Sequence, residues 1–111
     1  MALYMLMAKY SAASLRGIME TGGDREAAAR TAVEAAGGKL LGFYGMLGQE
    51  YGMALIVDMP GHAEYLAAVG PAIAGGVFES YKTIPLYTSA DVAKAVPLAK
   101  KVAAVYRPPG R

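Results

Sequence analysis

The side chains that could do chemistry in this 111-residue chain are few. His62 is the only histidine and there is no cysteine, so thiolate chemistry, disulfides and a histidine pair are excluded within one chain. His62 follows Pro60-Gly61 at an expected helix start, where it reads first as an exposed residue of the cap region and, functionally, as an axial haem ligand or a general base at a pocket mouth. Eight tyrosines stand against two phenylalanines and no tryptophan. Tyr4, Tyr44, Tyr51 and Tyr81 fall on different expected strands, so one sheet can gather them around a small aromatic or quinone-like ligand, or along a subunit interface. Met5, Met7 and Met53 also lie on strands, with Met5 and Met7 on one face by the period of two. Such soft side chains suit an adaptable apolar pocket as well as an ordinary core. Together these eight residues are the candidate ligand-binding set.

Other patterns carry less. Asp58 and Glu79 are the acids in or beside strands, and nothing in the spacing makes them a facing pair. Gly37-Gly38 and Gly75-Gly76 follow helices, so they lack the strand–glycine–helix context of a phosphate loop. Asp24 after Gly22-Gly23 would repel a phosphate. No residue pattern calls for a metal or a cofactor. The net charge of +2 is too small for a nucleic-acid footprint, and the basic residues concentrate towards the C-terminus. No apolar run approaches the ~18 residues of a membrane helix. The chain opens directly in a strand pattern with no basic leader. A single-domain cytoplasmic protein, binding neither nucleic acid nor membrane, is the expectation.

These side chains need a scaffold. Residues 2–10 and 51–60 are apolar on both faces, which marks fully buried strands. Lys39–Leu47, interrupted by Gly42 and Gly45, and Val77–Tyr87, with Glu79, Lys82 and Pro85, read as edge strands. A short helix through Leu15, Ile18 and Met19, capped by Ser11 or Ser14, precedes a longer one from Arg25 to Ala36 that Asp24 caps. A third, His62–Ala74, carries Leu66, Val69 and Ile73 on one face, with Pro71 expected to kink or split it. A terminal helix over about 89–105 bears Val92, Val96, Ala99 and Val102, with Pro97 inside. The order is an α+β, ferredoxin-like βαββαβ with an antiparallel sheet ordered 4-1-3-2, helices on one face, and a C-terminal helix.

The chain resembles the GYD domain family through Val33-Glu34-Ala35-Ala36-Gly37-Gly38-Lys39-Leu40, Phe43-Tyr44, and Tyr51 followed by Leu55-Ile56-Val57-Asp58-Met59-Pro60. Gly52 stands where the family usually has aspartate, and Gly48 lies three residues before Tyr51 rather than two. The resemblance spans about Tyr4 to Val96 and implies a bacterial, ferredoxin-like dimeric α+β barrel, with no agreed reaction.

One sheet face is left without helices, and an open apolar sheet exceeds the few hundred Å² that monomers expose. A homodimer, or a larger homo-oligomer, with sheet facing sheet is therefore expected. The function expected is a structural or small-ligand-binding module with a small apolar ligand between the sheets. The alternative, by analogy of fold alone, is a cofactor-independent or haem-using monooxygenase-type enzyme acting in that cavity.

Overall fold

The computed structural model describes residues 2–110. Its elements are β1 (Ala2–Tyr10), α1 (Ala12–Thr21), α2 (Arg25–Ala35), β2 (Lys39–Gly45), β3 (Met53–Met59), α3 (His62–Ala74), β4 (Phe78–Leu86) and α4 (Ser89–Val105). The four strands form one antiparallel sheet in the order β2-β3-β1-β4, the ferredoxin-like arrangement with both doubly apolar strands in the middle.

Alternation along the central strands sorts the two faces. Tyr4, Leu6 and Ala8 of β1 and Met53, Leu55, Val57 and Met59 of β3 are buried, and they meet Val33 of α2 and Tyr65 of α3 in the core. The intervening Leu3, Met5, Met7, Ala54 and Ile56 are only half-buried on the opposite face, where among the described residues no helix packs extensively. The helices thus cover one side only. α4, the one element long enough to cover the other side, packs extensively on no other element among the described residues.

Local signals explain the boundaries. Ser11, Asp24 and Thr88 cap α1, α2 and α4 by accepting backbone N–H bonds from Ser14, Ala27 and Asp91. On α2, Glu26 and Arg30 pair at 3.1 Å on the wet side while Val33 is buried on the dry one. Gly37 (φ +85°) ends α2, with Gly37 N–H donating to the Glu34 carbonyl and Gly38 N–H to that of Val33, each at 2.9 Å. This is a Schellman stop, and only glycine enters its left-handed position cheaply. β2 is shorter than its apolar pattern: Met46 N–H bonds the Gly52 carbonyl, closing the hairpin and leaving Leu47 98% exposed. The register of β2 slips between Leu40 and Gly42, a bulge in an edge strand.

Two helical expectations change. Pro71 does not split α3, which runs unbroken from His62 to Ala74. Of the expected face Val69 packs against the core and Ile73 is half-buried, but Leu66 is 64% exposed and Tyr65 is the buried residue. Val69 lies three or four residues after both positions, so period alone does not choose between neighbouring stripes. Tyr65 wins because its ring buries more area and its hydroxyl finds a partner on β4.

Candidate functional site

The register brings the start of β1 and the ends of β3 and β4 to one end of the sheet, where Leu3 stands between Asp58 and Leu86. The N-termini of α3 and α4 converge there too. Between them lies a cleft of about 440 Å³ whose polar walls are Tyr4, Asp58, His62, Thr88, Asp91 and Lys94.

Tyr4 points to the helix side by strand alternation and is 2% exposed. Its hydroxyl is hydrogen-bonded to Nδ1 of His62, the first residue of α3. With the imidazole proton on Nε2, Tyr4 donates; with Nδ1 protonated, Tyr4 accepts. In either case Nδ1 is occupied and Nε2 of the exposed His62 remains for another partner. The two rings meet edge-on, with centroids 5.6 Å apart.

Tyr65, one helical turn after His62, stacks on Tyr4 with centroids 4.4 Å apart and donates to or accepts from Thr83 Oγ1 at 2.7 Å. Burial pushes the Tyr65 phenol above its ordinary value, an effect the Thr83 hydrogen bond partly opposes. Asp91 is held below the usual carboxylate range by hydrogen bonds from Thr88, with Lys94 adding to the effect. The Thr88–Asp91 capping box therefore sets an ionised carboxylate in the cleft wall. On the β3 side, Asp58 Oδ1 is buried and has no hydrogen-bond partner among the described residues.

A second, smaller cavity of about 110 Å³ lies between the sheet and the helices. Ala29 and Ala32 of α2 and Ala68 and Ala72 of α3 leave space over Leu6, Leu55 and Phe43, and Arg25 is its one charged wall. Tyr65 borders this cavity and, through Tyr4, touches the cleft. The cavity falls somewhat short of the ~150 Å³ of an apolar void that accommodates benzene.

The eight residues singled out from sequence do not share one cavity. Tyr4 and His62 come together in the cleft. Met53 lines the apolar cavity. Tyr81 shares the helix side but sits on the edge strand, 45% exposed. Met5 and Met7 occupy the open face, as their period requires, and Tyr44 joins them in register through Ala54. Tyr51 precedes β3, and Lys82, which is paired with Met7 on the open face, places Nζ 5.6 Å from its ring centre. A strand-by-strand reading cannot foresee this division, because it counts tyrosines per strand and not per face. Tyr65, Thr83, Asp91 and Lys94 were missed. The spacing of Tyr65 three residues after His62, and the Thr88-Ser89-Ala90-Asp91 cap, were the available signals.

Among the described residues no group of three histidines, cysteines or carboxylates is placed to hold a metal ion, and no helix is long and apolar enough to cross a membrane. No curated protein matches the chain. The GYD domain family model matches residues 4–96.

Proposed function

The chain belongs to the GYD domain family, and we propose that it is a homo-oligomeric binding module that holds a small molecule in the sheet-end cleft, against the Tyr4–His62 pair. The observation that carries this reading is Asp58 Oδ1, a buried acceptor with no hydrogen-bond partner among the described residues, on a residue that lines the same cleft as His62. An orphaned buried acceptor costs about 1–3 kcal/mol, which a donor entering the cleft recovers. The ligand class is a compact molecule with an N–H or O–H donor for Asp58 and an apolar body for Leu3, Pro85 and Leu86.

Oligomerisation is supported by the surface. The chain exposes 7652 Å², against about 5,800 Å² for a compact monomer of 11.5 kDa. Its radius of gyration is 18.1 Å, where a compact fold of this length has about 13 Å. The open sheet face, with Met5, Met7 and Ile56, is the apolar surface for a second copy to cover.

The test is direct because one histidine gives one set of imidazole signals. Benzylamine and phenol, titrated into the protein, are expected to shift the His62 resonances to saturation, and Asp58→Asn to weaken the amine more than the phenol. If neither compound moves those signals at millimolar concentration, the binding reading falls. Light scattering that shows a monomer at micromolar concentration would remove the oligomer.

A second reading, a monooxygenase-type enzyme, draws on the same pair: a tyrosine hydroxyl fixes one nitrogen of an exposed imidazole and leaves the other to take a proton from a bound substrate. The walls do not fit haem, since Asp58, Asp91 and Lys94 line a cleft of only about 440 Å³. The cofactor-independent form is the one to test, by oxygen uptake with phenolic substrates in wild type and His62→Ala.

A further inference from the structure

We infer that α4 is an intermolecular arm whose apolar stripe docks on a second copy of this chain, and that this docking holds the α4 wall of the cleft in place. The inference rests on the homo-oligomer reading and specifies how the copies engage.

Every residue of α4 is exposed. Yet Val92, Val96, Ala99 and Val102 recur at spacings of three and four and continue into Tyr106, a stripe about two heptads long without a charge. The charged Asp91, Lys94, Lys100 and Lys101 fall on the rest of the helix surface. Val92 and Val96 are 49% and 48% exposed, and Val102 and Tyr106 reach 57% and 60%. Among the described residues the stripe meets no extensive packing surface of its own chain.

Such a helix does not stand alone in water. Isolated helices of this length are marginal even in alanine-rich sequences, and an interior proline such as Pro97 costs about 3 kcal/mol more. The Thr88–Asp91 capping box secures only the first turn. The remainder needs a packing surface, and among the described residues no other element packs extensively on it.

Area and charge identify the second copy as that surface. The excess over a compact monomer, about 1,800 Å² per chain, is the amount each partner of a sizeable obligate dimer removes from water. The arm, residues 88–111, sets Lys94, Lys100, Lys101, Arg107 and Arg111 against Asp91 alone, a net charge of +4 within the total of +2. The body, residues 1–87, therefore carries −2. A basic arm meeting the acidic body of an identical chain is complementary in both directions, as a two-fold contact requires. Because Thr88, Asp91 and Lys94 of the arm line the cleft, assembly and occupancy of the cleft are coupled.

Two full-length variants test this by light scattering over a dilution series. Val96→Asp with Val102→Asp, both at exposed positions, is expected to weaken association by roughly a hundredfold or more while leaving the Tyr4–His62 signals of the folded body intact. Met5→Lys reports on the open sheet face. If the arm variant keeps the wild-type association while Met5→Lys dissociates, the arm inference is overturned and the oligomer stands. A monomeric wild type removes both. Since the chain has no cysteine, a spin label on Ala99→Cys mixed with isotope-labelled wild type separates the remaining cases. Broadening in the isotope-labelled wild type supports the arm; no broadening there, together with broadening in a separate sample whose spin-labelled chain is itself isotope-labelled, the helix folding back on its own sheet, overturns it.

Discussion

Tyr4 and Tyr65 stack with ring centroids 4.4 Å apart and then turn their hydroxyls to different partners, Tyr4 to His62 at the cleft and Tyr65 to Thr83 on the edge strand. The pair links the hydrophobic core to the one place where an imidazole, carboxylates and an ammonium group meet.

Tyr4→Phe keeps the stack and removes the tie to His62. A net loss of about 1 kcal/mol in urea unfolding is expected, the usual worth of one such hydrogen bond. The His62 ring, no longer fixed at Nδ1, should show averaged side-chain signals. Tyr65→Ala, by contrast, empties a core position and should cost about 3–5 kcal/mol. Equal losses for the two variants would contradict the separate roles given to them.

Tyr65 makes stability depend on alkaline pH. Burial raises its folded-state value above the ordinary 10.0, so the folded chain holds the phenolic proton more tightly than the unfolded chain does. Stability from this source is complete below pH 10 and is lost as pH rises through the folded-state value. In Tyr65→Phe that share of the alkaline loss should vanish. Denaturant midpoints measured on both proteins from pH 8 to about 11.5 would show the difference; parallel curves would refute it.

Asp91 acts at the other end of the scale. The hydrogen bonds from Thr88 lower its folded-state value below the ordinary 3.8. Its support for the first turn of α4 is therefore present above pH 3.8 and fades as pH falls through the folded-state value. Asp91→Asn and Thr88→Ala should each reduce the helical chemical shifts of residues 89–92 at neutral pH. The β-sheet signals away from the cleft should stay unchanged, because among the described residues α4 packs extensively on no strand.

Gly37→Ala should destabilise the fold by about 1–2 kcal/mol, since the Schellman position at φ +85° forces an L-residue into left-handed backbone. Gly17, inside α1 with open space where a Cβ would stand, should behave in the opposite sense. There alanine is expected to add about 0.5–1 kcal/mol. Thermal unfolding of the two variants gives the comparison, and a neutral Gly37→Ala would exclude the stop geometry.

The sheet order and the one-sided helical cover were legible in the chain because they depend on short-range pattern. Residues 2–10 and 51–60 are apolar on both faces and so must be central, while glycine, proline and charge mark the edges. The caps at Ser11, Asp24 and Thr88 and the stop at Gly37-Gly38 are likewise contacts within a few residues. The chemistry of the site was not legible in that way. Whether Tyr4 meets His62 or Tyr44 depends on which side of the sheet each faces, and the bulge between Leu40 and Gly42 changes that parity within one strand. Tyr65 displaced Leu66 from the core through a hydroxyl partner 18 residues away. Periodicity along a chain carries the burial of a face; which side chains touch across elements is decided by register and crossover, and these exist only once the sheet has closed.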